Sequence, residues 1–184
     1  MHESITSTIA EGFYAVRSTL PPSLRTRIYI SGNQECCGFG GRYAGSNKTP
    51  DFAVEFENAK GDVETKFVLE VGFSETYKEL VQDAKMWLEG RGDVCVFVLA
   101  NVEETPKYRC PVGHFDNEDF EQLGLPGFTE LRTSDFNLEG EYGPATCKGL
   151  VWVGQISAVS IEIWKRDAVT GLATRDGSPI VSNY

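Results

Sequence analysis

The sequence predicts a domain of the α/β (α+β) class, and three stretches carry that expectation. Residues 51–57 alternate, with Phe52, Val54 and Phe56 against Asp51, Ala53 and Glu55, which is the period of a strand with one apolar face. Residues 74–89 change to helical spacing, with Tyr77, Leu80, Val81, Ala84 and Leu88 on one stripe. Residues 94–102 (VCVFVLANV) are almost continuously apolar, as in a strand covered on both faces.

The chain is 184 residues long, enough for one compact core, and no repeat, linker or second domain is legible over 1–184. No apolar run approaches the roughly 18 residues of a membrane span. The opening MHESITSTIAEGF lacks the basic-then-apolar order of a signal peptide. An intracellular location, cytoplasm or nucleus, is expected, with no membrane partner. Five cysteines at irregular spacings are not a disulfide framework. Cys95 reads as a core residue. Cys36, Cys37, Cys110 and His114 lack the paired spacings of structural zinc and read as free thiols and a loop histidine.

The net charge of −10 works against general affinity for nucleic acid. It is concentrated, however: residues 101–145 hold ten acids and three bases, Lys107, Arg109 and Arg132. That block reads as an irregular acidic excursion: a solvated insertion, a screen or mimic of a nucleic-acid surface, or a surface for a protein partner.

In chain order, Ile5, Ile9, Phe13, Val16 and Leu20 mark the buried stripe of a helix over 3–20, which Pro21 and Pro22 end. Glu11 falls opposite the stripe and reads as a solvated acid. Residues 27–30 form a short strand. The loop 31–49 holds a near miss to a phosphate loop, Gly40, four residues, Gly45, then Ser-Asn-Lys48-Thr49. In the true motif the lysine follows the last glycine directly and a helix follows, so nucleotide binding by this loop is rejected. It reads as a flexible glycine rim beside Asp51, and Arg42 and Lys48 remain possible phosphate contacts. Residues 58–62 are a turn. Over 66–73, Phe67, Leu69, Val71 and Phe73 face one way, and Lys66, Val68, Glu70 and Gly72 the other. That strand is apolar enough to be central, so Glu70 is expected to be partly buried and in need of a partner or a metal. Ser74 is the expected cap of the next helix, with Lys85 bordering its stripe and Asp83 on the far side. Within 103–148 one short helix is expected near 118–123. Residues 148–164 give one or two strands, and the polar tail 166–184 is expected to close over the sheet.

Two acids on neighbouring strands can hold Mg²⁺, which prefers carboxylate oxygens and water. A nearby lysine could orient water or neutralise a transition state. At Pro50-Asp51, Glu70, the following helix and the apolar strand after it, the sequence resembles the PD-(D/E)XK nuclease superfamily. KTPDFAVEF, FVLEVGFSETYKELVQDAKMWL and VSIEIWKRD are most similar to a group of largely fungal members. The resemblance covers residues 48–102 well and the C-terminal strand loosely. It implies a restriction-endonuclease-like mixed β-sheet flanked by helices. It also implies Asp51 and Glu70 as ligands of Mg²⁺, with Mn²⁺ as a substitute, and nucleic acid as the substrate. The superfamily's lysine stands two residues after the acid, where this chain has Gly72. Lys85 from the helix, or Lys66 on the Glu70 face of its strand, is expected to replace it, with Gln82 lining the same groove; the alternative for Lys85 is an amphipathic side chain covering apolar surface. Two functions stay open: a metal-dependent nuclease, or a catalytically inactive module that binds protein or nucleic acid through the same groove. The sequence does not specify an oligomeric state.

Overall fold

The computed structural model describes residues 2–32, 34–73, 75–107, 109–124 and 131–184. In chain order the elements are α1 (His2–Thr19), α2 (Pro22–Arg25), β1 (Ile28–Ser31), β2 (Phe52–Glu57), β3 (Val63–Gly72), α3 (Tyr77–Gly90), β4 (Val96–Thr105), α4 (Asn117–Gln122), β5 (Asn137–Leu138), β6 (Ala145–Cys147), β7 (Leu150–Val153), β8 (Gln155–Arg166), β9 (Ala173–Arg175) and β10 (Ile180–Asn183). The class is mixed α+β. The chain divides into two compact units, 1–101 with 160–181, and 102–159 with 182–184.

The first unit is organised by a mixed sheet of order β1-β2-β3-β4-β8-β10, with β9 paired to β8. β1, β2 and β3 are antiparallel neighbours, with Ile28 opposite Phe56 and Phe52 opposite Leu69. β3 and β4 are parallel, with Glu70 opposite Leu99, so β3 is central. The turn between β2 and β3 is built by Asn58, whose side-chain oxygen accepts from the Lys60 and Asp62 amides, while Gly61 takes φ 86°. α3 crosses from β3 to β4. It is capped by Thr76, whose hydroxyl accepts from the Glu79 amide while Glu79 accepts from the Thr76 amide. Ser74, the expected cap, lies outside the described residues. Val68, Leu80, Ala84, Trp87, Leu88, Phe97 and Leu99 form a fully buried core where α3 meets the sheet. Each large apolar side chain there contributes roughly 1.5–3 kcal/mol.

On α1, Phe13 meets Phe67 edge-on at 4.7 Å. Val16 is 61% exposed, against the expectation that it joins the stripe. The inward face steps from Phe13 to Arg17, whose Nε donates to the Arg25 carbonyl, and one i+4 step leaves Val16 outside. Glu11 is exposed, as expected. Cys95 is exposed, not core, because it precedes the first residue of β4. The tail does not close over the sheet; it extends it, as β9 and β10.

The second unit is more regular than an acidic excursion implies. β5, β6 and β7 form a small antiparallel sheet. Lys148 and Gly149 take positive φ (51° and 77°) in the two-residue hairpin between β6 and β7. Val112 and Cys147 are its buried centre, packed by Phe115, Phe120, Phe136 and Trp152. The expected short helix is α4, with Asp116 capping the Glu118 and Asp119 amides.

Candidate functional site

Four acids and one lysine act on one another at one end of β2 and β3, all within the first unit. Asp51 directly precedes β2, after the fully buried Pro50. Its Oδ2 accepts from the Val71 amide at 2.7 Å, which ties it to the residue after Glu70. Glu70 is 6% exposed. Its Oε1 accepts from the Trp87 indole N–H at 3.0 Å. Burial pushes the Glu70 carboxyl up to about 8 against the pull of Lys48 and the Trp87 hydrogen bond, and the charges of Asp51 and Asp83 add to the rise. Glu70 is therefore largely protonated in the free protein at neutral pH. Glu75 is also raised, by burial first and by Asp83, Glu79 and Asp51, with Lys48 opposing.

Lys48 is the cation in this group. An isolated β-bridge holds its backbone, with Cys36 N–H to the Lys48 carbonyl at 2.8 Å and Lys48 N–H to the Cys36 carbonyl at 3.0 Å. The glycine-rich loop is therefore anchored, not a free rim. Phe39, 4% exposed, packs edge-on against Trp87 at 5.1 Å, and the Gly40 amide bonds the Gly90 carbonyl at 2.7 Å. The Lys48 Nζ meets Asp83 Oδ2 at 2.6 Å. Burial works to lower the Lys48 pKa, but the Asp83 hydrogen bond and the charges of Glu70, Asp83 and Glu75 leave it raised.

The structure brings Asp51, Glu70 and Lys48 together. Asp83 does not lie on the far side of α3 from this group; it shares a face with Trp87, one turn away, and that face meets Glu70 and Lys48. Lys85 stands two residues from Asp83, about 160° around the helix; the positive charge acting on Glu70 is that of Lys48. Gln82 is exposed. Lys66 pairs with Glu64 at 2.7 Å and is four residues from Glu70 along β3, about 13 Å. Arg42 pairs with Glu89 and lies over the Tyr43 ring at 4.8 Å.

Gly72, where a lysine was expected, has a physical reason to be glycine. A Cβ there would lie 2.3 Å from Leu80 Cδ1. The N-terminal turn of α3 fills the space that a side chain at 72 would need. Sequence reasoning also missed Asp83 and Trp87. Their i, i+4 spacing on a helix that follows Glu70 was the available signal.

Among the described residues no three His, Cys, Asp or Glu side chains group closely enough to hold a metal ion by themselves. The donor set still suits magnesium, a hard cation that proteins hold through one or two carboxylates with water and substrate phosphate completing its shell. No helix among the described residues is long and apolar enough to cross a membrane. The chain matches no family model, no curated protein and no solved structure.

Proposed function

We propose that the first unit is a PD-(D/E)XK-like module that hydrolyses nucleic-acid phosphodiesters with Mg²⁺, or Mn²⁺ in its place. The observation that carries this reading is the convergence of Asp51, Glu70 and the Lys48 ammonium at one end of β2 and β3. Antiparallel β1–β3 followed by parallel β4, with helices flanking the sheet, supports the restriction-endonuclease-like fold that the resemblance implies.

Asp51 and Glu70 would hold the ion. When bound, it supplies positive charge at the attacked phosphate and lowers the pKa of a bound water. Glu70 would give up its proton on binding a cation, because only the carboxylate is a ligand. Lys48 places a fixed ammonium beside the two acids, where it neutralises charge that develops on the phosphoryl oxygens. Asp83 positions Lys48, and the Cys36 bridge fixes the lysine's backbone. With position 72 closed by Leu80, the lysine of the site comes from the loop before β2.

The second reading, an inactive binding module with the same groove, draws on the Lys48–Asp83 ion pair, which occupies the lysine. Cleavage of single- and double-stranded DNA and RNA with Mg²⁺ or Mn²⁺ separates the two. The nuclease reading predicts metal-dependent cleavage that falls by about 10²-fold or more in Asp51→Ala and Lys48→Ala and persists in Lys85→Ala. Equal activity in all variants would reject the site, and binding without cleavage would favour the inactive module.

A further inference from the structure

The second unit contains a cleft of about 320 Å³ lined by Pro106, Lys107, Arg109, Val151, Trp152 and Gly154. From it we infer a second binding site, one for a small flat ring carrying a phosphomonoester, the chemistry of a nucleoside monophosphate.

Charge placement is the first argument. Residues 101–145 carry ten acids and three bases, yet two of those bases, Lys107 and Arg109, line this one cleft. Both are exposed. A phosphomonoester carries about −1.5 to −2 charges at neutral pH and matches two cations, whereas a carboxylate brings one. The arginine fork also suits phosphate oxygens.

The second argument is the aromatic wall. Trp152 is half-buried, and Phe136 meets it edge-on at 5.9 Å and 84°. An aromatic side chain lining the same cleft as two cations can stack a flat ring while they hold its anion. The walls are also held in place. The Gly154 amide donates to Glu104 Oε2 at 3.0 Å, and a Cβ at 154 would lie 2.6 Å from the Pro106 carbonyl oxygen. Backbone therefore packs on backbone at one edge of the cleft, and only glycine permits it. The volume, about 320 Å³, lies at the small end of the range for ligand pockets, about 300–1,000 Å³, which is the scale of a single nucleotide. The inference rests on the second unit alone and is independent of the reading of Asp51, Glu70 and Lys48.

Calorimetry of the full chain with AMP tests it, with adenosine, inorganic phosphate and benzoate as arms that supply the ring, the anion or a singly charged aryl group. AMP is expected to bind at least tenfold tighter than each of the three. The double variant Lys107→Ala/Arg109→Ala is expected to lose at least tenfold in AMP affinity with an unchanged thermal midpoint, while Asp51→Ala binds AMP as the parent does. The site is overturned if AMP binds no better than phosphate or benzoate, if the double variant binds it equally well, or if Asp51→Ala abolishes binding.

Discussion

Glu70 on β3 and Glu162 on β8 are both buried acids of the first unit, 6% and 4% exposed, and each accepts from a tryptophan indole. Their surroundings differ in one respect. Glu162 also accepts from the Tyr77 hydroxyl, at 3.1 and 3.2 Å to its two oxygens, and from Arg175 at 3.2 Å, so both of its oxygens are met by donors. Among the described residues Glu70 receives one hydrogen bond, from Trp87, and faces Asp51 and Asp83, with Lys48 committed to Asp83. A buried acid with its donors in place is a structural tie, here joining α3 to β8 and β9. One that is short of donors and crowded by like charge is a place where a cation would be gained.

The same substitution should therefore act in opposite directions at the two positions. Glu70 has a folded-state pKa of about 8 against 4.5 unperturbed. Its contribution is fully present below the unfolded value and is lost as pH rises from there to the folded value of about 8, because over that range the unfolded chain ionises while the folded state still holds the proton. Wild-type protein should lose about 4 kcal/mol of unfolding free energy between pH 5 and pH 9 from this group. Glu70→Gln should remove that loss, matching wild type at pH 5 and exceeding it at pH 9 in urea unfolding. Glu162→Gln, by contrast, should cost about 3 kcal/mol at pH 7, because an amide offers N–H groups where three donors already point. A destabilised Glu70→Gln at pH 9, or a neutral Glu162→Gln, would erase the distinction.

Gly72→Ala should cost about 2 kcal/mol by driving a methyl into Leu80, and Leu80→Ala in the same chain should recover part of the Gly72→Ala loss specifically. A freely tolerated alanine would mean that α3 gives way and that a lysine at 72 had room. The smallest effect belongs to Lys48→Met, about 1 kcal/mol at pH 7, read together with the pH profile. Removing that ammonium should extend the stability loss to higher pH, since Lys48 opposes the rise of Glu70.

Much of this was legible in the sequence where periodicity carried it. The alternation around Phe52, the apolar run through Leu69 and the stripe through Leu80 and Leu88 foretold β2, β3 and α3, and Glu70 was expected to be buried for the same reason. Two kinds of feature were not legible. One was the choice of lysine: Lys48 reaches the site because a single bridge to Cys36 pins its loop, a long-range contact with no local signature. The other was the tail, whose strands β9 and β10 form by pairing with β8, although they are only three and four residues long and weakly patterned. Gly72 shows the converse, a residue that looks like a missing catalytic group in the sequence and is explained by packing in the fold.

The claim that Glu70 is kept protonated until a cation replaces the proton is tested most directly by calorimetric titration of Mn²⁺ into the protein at pH 7 in two buffers of different ionisation enthalpy. The account predicts binding with release of about one proton per ion, and loss of that release in Glu70→Gln. Absence of binding heat in both buffers, or binding with no proton released, would contradict it.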